Sequence, residues 1–225
     1  MHPMKHHDRF VGFLHCDRFV DKHMEGKINY QRKLDEITGV LEQGDGKPSI
    51  LLHSCCGPCS SYVVTYLLQW FEITVLYYNP NIYPESEYDH RLAEQARLLQ
   101  ALGVPLLQIA YDHQEFLDCV RGFEGEPEGG ARCAKCFELR LQKTYELAAA
   151  EGFDYFATTL TVSPHKNAVV INRTGENIAA MAQEQGSPLW LPSDFKKRDG
   201  YKKSIELSKQ YELYRQEYCG CEFAI

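Results

Sequence analysis

The stretch Leu51-Leu52-His53-Ser54-Cys55-Cys56-Gly57-Pro58-Cys59-Ser60 decides how the rest of this 225-residue chain is read. An apolar, strand-like run from Ser49 to Leu52 delivers three cysteines onto a turn set by Gly57 and Pro58, and a helical pattern begins at Ser60. Sulfur is thereby presented at a strand-to-helix turn. In open α/β folds that turn lies at the carboxyl edge of the sheet, where ligands bind.

Working outward, apolar helical and β-rich segments alternate. A helix is expected from Ser61 to Phe71, a strand from Ile73 to Tyr78, a helix from Glu85 to Leu102 stopped by Gly103, and a buried strand from Pro105 to Ala110. A short helix, Gln114 to Phe123, gives way to the loop Glu124-Gly125-Glu126-Pro127-Glu128-Gly129-Gly130. Arg132-Cys133-Ala134-Lys135-Cys136 then opens a long helix to about Glu151. A fourth strand covers Tyr155 to Thr161, a helix Ala168 to Gln185, a short strand Pro188 to Leu191, and a tail helix Ser204 to Tyr211. Strands alternating with helices imply an α/β fold with a mostly parallel sheet, right-handed crossovers and helices on both faces. Residues 1–47 read as an N-terminal extension with a short helix at Tyr30 to Leu41, and residues 48–225 as a single α/β domain. The irregular spacing of His2, His6, His7, His15 and Cys16 makes a metal site in the extension a weak reading.

The composition, 44% hydrophobic and 24% charged, is that of a soluble globular protein. No apolar run approaches the roughly 20 residues of a membrane helix, and the start lacks the apolar core of a signal peptide, so a cytoplasmic location is expected. A net charge of −7 argues against a general nucleic-acid binder, which needs a basic footprint, but leaves room for local basic patches.

Nine cysteines, an odd number at tight CxxC and CxC spacings, suit metal or redox chemistry better than a disulfide framework. Cys56-x-x-Cys59 and Cys133-x-x-Cys136 are two pairs of chelating spacing. If the fold brings them together, the thiolates suit a tetrahedral zinc or an iron-sulfur cluster. Cys133 and Cys136 would share one face of a first helical turn, where the positive dipole end stabilises thiolates and Arg132 and Lys135 add charge. Cys119 and Cys16 stand apart. Cys219-Gly220-Cys221 can form a strained, readily reduced disulfide or lend thiolates to a metal. Cys56-Gly57-Pro58-Cys59 is also the tetrapeptide of thioredoxin, yet that reading leaves Cys55 and the later cysteines without a role.

Several motifs in one order resemble the QueH family: His53-Ser54-Cys55-Cys56-Gly57-Pro58-Cys59, Tyr78-Asn79-Pro80-Asn81-Ile82, Glu128-Gly129-Gly130-Ala131-Arg132-Cys133-x-x-Cys136 and Thr158 through Asn167. Asp194-Phe195-Lys196-Lys197 and Tyr214-Arg215-Gln216-x-Tyr218-Cys219-Gly220-Cys221 extend the match. The resemblance implies a Rossmann-like fold of the HUP type and an epoxyqueuosine reductase acting at the wobble position of tRNA, the last step of queuosine biosynthesis. It implies a [4Fe-4S] cluster on Cys55, Cys56, Cys133 and Cys136, and Cys219 with Cys221 as a redox-active pair. Cys59 is left over as an alternative ligand, a holder of a second iron, or a reductant.

Removing the epoxide oxygen consumes two electrons and two protons, so a redox cofactor and an electron donor are required. His53, Asp112, His165 and Asp194 fall at expected strand ends or loops, and His165 and Asp194 join Cys59 as catalytic candidates. Lys196 and Lys197, in a basic cluster with Arg198, Lys202 and Lys203 beside Phe195 and Tyr201, are candidate tRNA contacts, together with Arg132. A thioredoxin-like dithiol oxidoreductase and a zinc-stapled binding protein are the competing readings.

Overall fold

Ile50, Leu51 and Leu52 are all fully buried, so this strand is covered on both faces and reads as a continuous apolar run, not an alternating one. It is the centre of a five-stranded parallel sheet in a computed structural model that describes residues 28–181 and 186–224. The helix α1 spans Tyr30–Leu41, β1 Ser49–Ser54, α2 Gly57–Leu67, β2 Glu72–Tyr77, α3 Glu85–Leu102 and β3 Leu106–Gln108. The helices α4, His113–Cys119, and α5, Ala131–Glu151, lead to β4, Tyr155–Thr158. The described part of α6, Ala168–Met181, β5, Leu189–Trp190, and α7, Gly200–Gln210, complete the chain order.

The strand order is β3-β2-β1-β4-β5, with Leu52 opposite Val75 on one side and Ala157 on the other. Strand order reverses between β1 and β4, which makes the carboxyl end of β1 the place where such sheets open a crevice. One face of the sheet packs Ile50, Leu52 and Val75 against Val64, Phe71 and Phe195; the other packs Leu51, Leu76 and Phe156 against Phe137, Leu141 and Trp190. Gly175 lets α6 lie directly on the Trp190 ring, which a Cβ would penetrate. Gly103 closes α3 in the left-handed conformation, φ 66°, that glycine adopts without steric cost.

Several boundaries differ from the sequence expectation: α2 ends at Leu67 rather than Phe71, α4 at Cys119 rather than Phe123, and β3 covers Leu106–Gln108 rather than Pro105 to Ala110. The helix after the cysteines begins at Gly57 rather than Ser60, because Pro58 sits in the first turn, where its missing N–H costs no hydrogen bond. The fourth strand stops at Thr158, not Thr161: the Thr158 hydroxyl accepts the Leu160 N–H at 3.2 Å and turns Thr159–Val162 into a 3₁₀ helix. The tail helix starts at Gly200, four residues before Ser204. Ahead of the sheet, α1 docks through the fully buried Leu34 and a 2.8 Å Lys33–Glu176 ion pair to α6. The histidines of the extension and Cys16 lie outside the described residues.

Candidate active site

The Sγ atoms of Cys55, Cys56 and Cys59 lie within 4.8 Å of one another. The fold brings this about locally: β1 ends at Ser54, Cys56 is the N-cap of α2, and Cys59 falls in its first turn. No side chain caps α2, so its free N–H groups and positive dipole end face the sulfurs. Hydrogen bonds from the Cys56 and Cys59 thiols, opposed by burial and reinforced by Arg140, hold the Cys55 thiol well below its usual range. The same bond to Cys55 pushes Cys56 up to about 12, and Cys59 is raised by its bonds to both neighbours. The hydrogen bonds within the triad therefore favour negative charge on Cys55 over its two neighbours.

A second set of sulfurs is assembled from distant segments. Cys136 is buried at the start of α5 beside Cys221, and Cys219 packs against the same cluster. Cys133 accepts the Gly129 N–H at 3.2 Å. Burial pushes Cys136 up to about 12 and raises Cys221. The tail bearing Cys219 and Cys221 is strapped down by backbone contacts: Arg91 donates to the Cys219 carbonyl at 3.1 Å and the Tyr83 N–H to the Gly220 carbonyl at 2.9 Å. Gly220, φ 94°, is required there because a Cβ would stand 3.0 Å from the Arg91 guanidinium. Lys166 reaches the Cys219 sulfur at 3.1 Å and Glu128 at 3.4 Å. Burial alone would lower Lys166, but the charge and hydrogen bond of Cys219 outweigh it and raise its pKa.

Beside the triad opens a cavity of about 530 Å³, within the range of small-molecule sites. Cys55, Cys56, Cys59 and Cys219 line it, with Arg91 and Arg140. Cys133 lines an adjoining cavity of about 200 Å³, and His165 and Lys166 border both. Four buried polar atoms among the cavity residues have no partner: Asn81 Oδ1, Arg91 Nη2, Arg140 Nη2 and Gln216 Oε1. Such atoms are costly unless a ligand completes them. At the wall, Arg215 stacks on Tyr201 at 5.3 Å and Arg91 on Tyr218 at 5.2 Å.

The expected proton donors and cations separate in space. His53 is fully buried; its Nε2 faces the Tyr78 carbonyl at 3.1 Å and its Nδ1 the Thr158 hydroxyl at 2.8 Å. Burial, then Arg140, depress its pKa to about 3, so it is neutral and closed to substrate. Asp112 caps α4, accepting the Gln114 N–H at 2.9 Å. His165 is exposed on the cavity wall. Asp194 holds Lys196 at 2.7 Å, and neither residue lines the cavity; Lys197 is exposed.

Arg132, expected as a candidate tRNA contact, is placed in the interior. It is 2% exposed, and its guanidinium donates to the carbonyls of Glu124, Glu126 and Phe223, so it is an internal clamp between the loop before α5 and the tail. Arg91 and Arg140 went unread in the sequence. For Arg140 a signal exists: Cys133, Cys136 and Arg140 recur at i, i+3 and i+7, one face of a helix. Arg91 has no such mark.

The donor set fits a thiolate-bound metal centre. The 3.7 Å Cys55–Cys56 sulfur separation is close to the edge of a tetrahedron built with about 2.3 Å metal–sulfur bonds, and soft sulfur ligands select iron-sulfur, zinc or copper centres. The fold and the site together define a Rossmann-like α/β protein whose carboxyl-edge cavity is walled by thiols and guanidinium groups. The family model for epoxyqueuosine reductase QueH matches residues 50–225, and the chain belongs to that family.

Curated relatives of that name agree. The protein from Streptococcus pyogenes serotype M1 is 44% identical over 88% of this chain and 78% of its own length. That from Staphylococcus epidermidis is 39% identical over 94% and 90%, and that from Haemophilus influenzae 36% identical over 92% and 84%. Among solved structures, the U34-tRNA thiolase NcsA from Methanococcus maripaludis with its [4Fe-4S] cluster superposes with a TM-score of 0.52 at 12% identity. It covers 87% of this chain and 67% of the thiolase, a likeness of fold. No helix among the described residues is long and apolar enough to cross a membrane.

Proposed function

We infer that this protein reduces epoxyqueuosine to queuosine in tRNA and does so with an iron-sulfur centre. The observation that carries the reading is the meeting of the Cys55-Cys56-Cys59 triad and Cys219 in one cavity of about 530 Å³, in a chain matched by the family from residue 50 to its end. Cys55, Cys56, Cys133 and Cys136 would hold a [4Fe-4S] cluster, with Cys59 free for a second iron and Cys219 with Cys221 as the dithiol. When bound, the cluster supplies single electrons to the deoxygenation.

The remaining work falls to side chains. The Tyr201–Arg215 and Tyr218–Arg91 stacks at the cavity wall offer faces for an unstacked wobble base. Asn81 Oδ1 and Gln216 Oε1 offer acceptors to its donors. His165, solvent-accessible and on the wall, is the proton donor for the departing oxygen; Asp194, held by Lys196 away from the cavity, orients the loop. Lys197, with Lys202 and Lys203 in the first turn of α7, contacts tRNA phosphates around the mouth. Lys196 joins them only by leaving Asp194.

The test is nucleoside analysis of tRNA from a strain without its own epoxyqueuosine reductase, incubated with anaerobically purified protein and a reductant. Epoxyqueuosine should disappear as queuosine rises. A brown, iron- and sulfide-loaded preparation that converts none would sink the substrate, and a colourless, zinc-loaded, active one would sink the cofactor.

A further inference from the structure

One charge in this chain sits where charge is costly. Arg140, on the α5 face that carries Cys133 and Cys136, is 2% exposed. Its Nε donates to the Cys136 carbonyl at 3.2 Å and its Nη1 to Asn79 Oδ1 at 3.5 Å, while its Nη2 is buried with no partner. No carboxylate among the described residues lies within ion-pair distance of it. Arg91 makes the contrast: it is equally buried and also keeps an unpartnered Nη2, but Glu87 at 2.7 Å compensates its charge. A buried cation without an anion is strongly destabilising unless another negative group takes that place.

The anionic groups that face Arg140 electrostatically are sulfurs, Cys136, Cys219, Cys55 and Cys133, drawn from both sets; Lys166 and His53 also feel its charge. Its hydrogen bonds reach both sets as well. From Arg140 one bond runs to the carbonyl of Cys136; the other runs to Asn79, whose Nδ2 donates to the Ser54 carbonyl at 2.8 Å, one residue before Cys55. A guanidinium cannot lose its proton in a protein, so its charge stays whatever the redox state of its surroundings.

We propose that Arg140 is the positioning residue of the sulfur centre: it ties the two cysteine segments together through Cys136 and Asn79, and its permanent charge raises the reduction potential of the centre they hold. The proposal rests on the iron-sulfur reading above. Adding an electron to a thiolate-ligated cluster adds negative charge, and a fixed cation in a low-dielectric site favours the reduced form. The chain thus contains its own counter-charge, which no external donor has to bring.

The experiment is an anaerobic redox titration of the full-length, cluster-loaded protein and of Arg140→Gln and Arg140→Lys, followed by electron paramagnetic resonance and normalised to iron and acid-labile sulfide. At the wild-type midpoint, Arg140→Gln should show at least a tenfold fall in the reduced-to-oxidised ratio, equal to about 59 mV for a one-electron couple. Arg140→Lys, which keeps the charge, should stay within about threefold of wild type, the usual context scatter being well below a full decade. A loaded Arg140→Gln that titrates like wild type overturns the proposal, as does Arg140→Lys shifting tenfold. If Arg140→Gln does not fold or load, Arg140→Lys decides alone: a wild-type midpoint supports the role of charge, a loaded variant shifted tenfold refutes it, and failure to load supports the ties to Cys136 and Asn79, which one ammonium cannot both make. Wild-type protein without iron and sulfide would instead remove the iron-sulfur reading itself.

Discussion

The two cysteine sets are built in different ways. Cys55, Cys56 and Cys59 belong to one strand-to-helix turn, and their sulfurs converge as soon as β1 joins the sheet and α2 starts at Gly57. Cys136 meets Cys219 and Cys221 only because the tail returns across the sheet edge and is clamped there by Arg91, Arg132 and the Tyr83 N–H. The first set needs short-range geometry; the second needs the whole fold. Local turns resist perturbation better than segments held by a few long-range hydrogen bonds, which open at lower free energy. The triad therefore shares its cavity with Cys219 of the tail, which long-range contacts hold in place.

The largest effect tests that division in the chemistry. Cys56→Ser should lose iron and reduce epoxyqueuosine conversion by at least about 100-fold, more than the loss of an outer metal partner costs. Cys219→Ser should lose turnover to a similar extent yet keep its iron. Equal iron loss in both variants would erase the distinction between Cys56 as a ligand and Cys219 as part of the dithiol.

The clamp comes next. Arg132→Met removes charge-assisted bonds to the Glu124, Glu126 and Phe223 carbonyls and should lower stability by about 2–4 kcal/mol in urea unfolding. Alkylation of Cys219 and Cys221 should quicken in the same variant while Cys55 is unaffected. Uniform alkylation rates would show that the tail does not move as a unit.

His53 anchors the triad and gives it a pH signature. Folded His53 takes a proton only near pH 3, whereas the unfolded side chain does so near its ordinary 6.5. Between those values the unfolded chain binds the extra proton, so this contribution to stability is complete above pH 6.5 and is lost as pH falls toward 3, with a slope of up to about 1.4 kcal/mol per pH unit. Urea unfolding of metal-free protein should show that slope, and His53→Gln should flatten it; an unchanged slope would assign acid sensitivity to other groups. The smallest expected effect is at the tail, where His113 and Glu222 pair at 2.8 Å on partly exposed side chains. His113→Gln should cost about 1 kcal/mol or less and leave iron content untouched.

Most of the fold was legible in the chain. Glu85–Leu102 is read to the residue from its periodicity and Gly103, and the parallel sheet follows from the alternation of β-rich and amphipathic segments. Among the misread boundaries, Gly57, Thr158 and Gly200 are places where a proline tolerated in a first turn, a hydroxyl bonded to a backbone N–H, or a left-handed residue before a helix decides the conformation. The burial of Arg132 was not legible, because a basic residue beside a helix start looks alike whether it faces water or backbone carbonyls. Arg91 was invisible for the mirror reason, since mid-helix arginines are ordinarily solvated; Arg140 was marked only by sharing the helix face of Cys133 and Cys136.

From residue order alone came the chemistry: three sulfurs on one turn, a second pair opening a helix, a third pair in the tail, and a sheet that puts turns at its carboxyl edge. Those features are short-range, set by spacing, helix-start chemistry and strand pattern. Folding in three dimensions settled which sulfurs meet, that Cys59 belongs with Cys55 and Cys56, that His53 is sealed and neutral, and that two buried guanidinium groups face the cavity. These depend on burial and on contacts between segments far apart in sequence, and a buried charge reveals its partner only once the chain has closed around it.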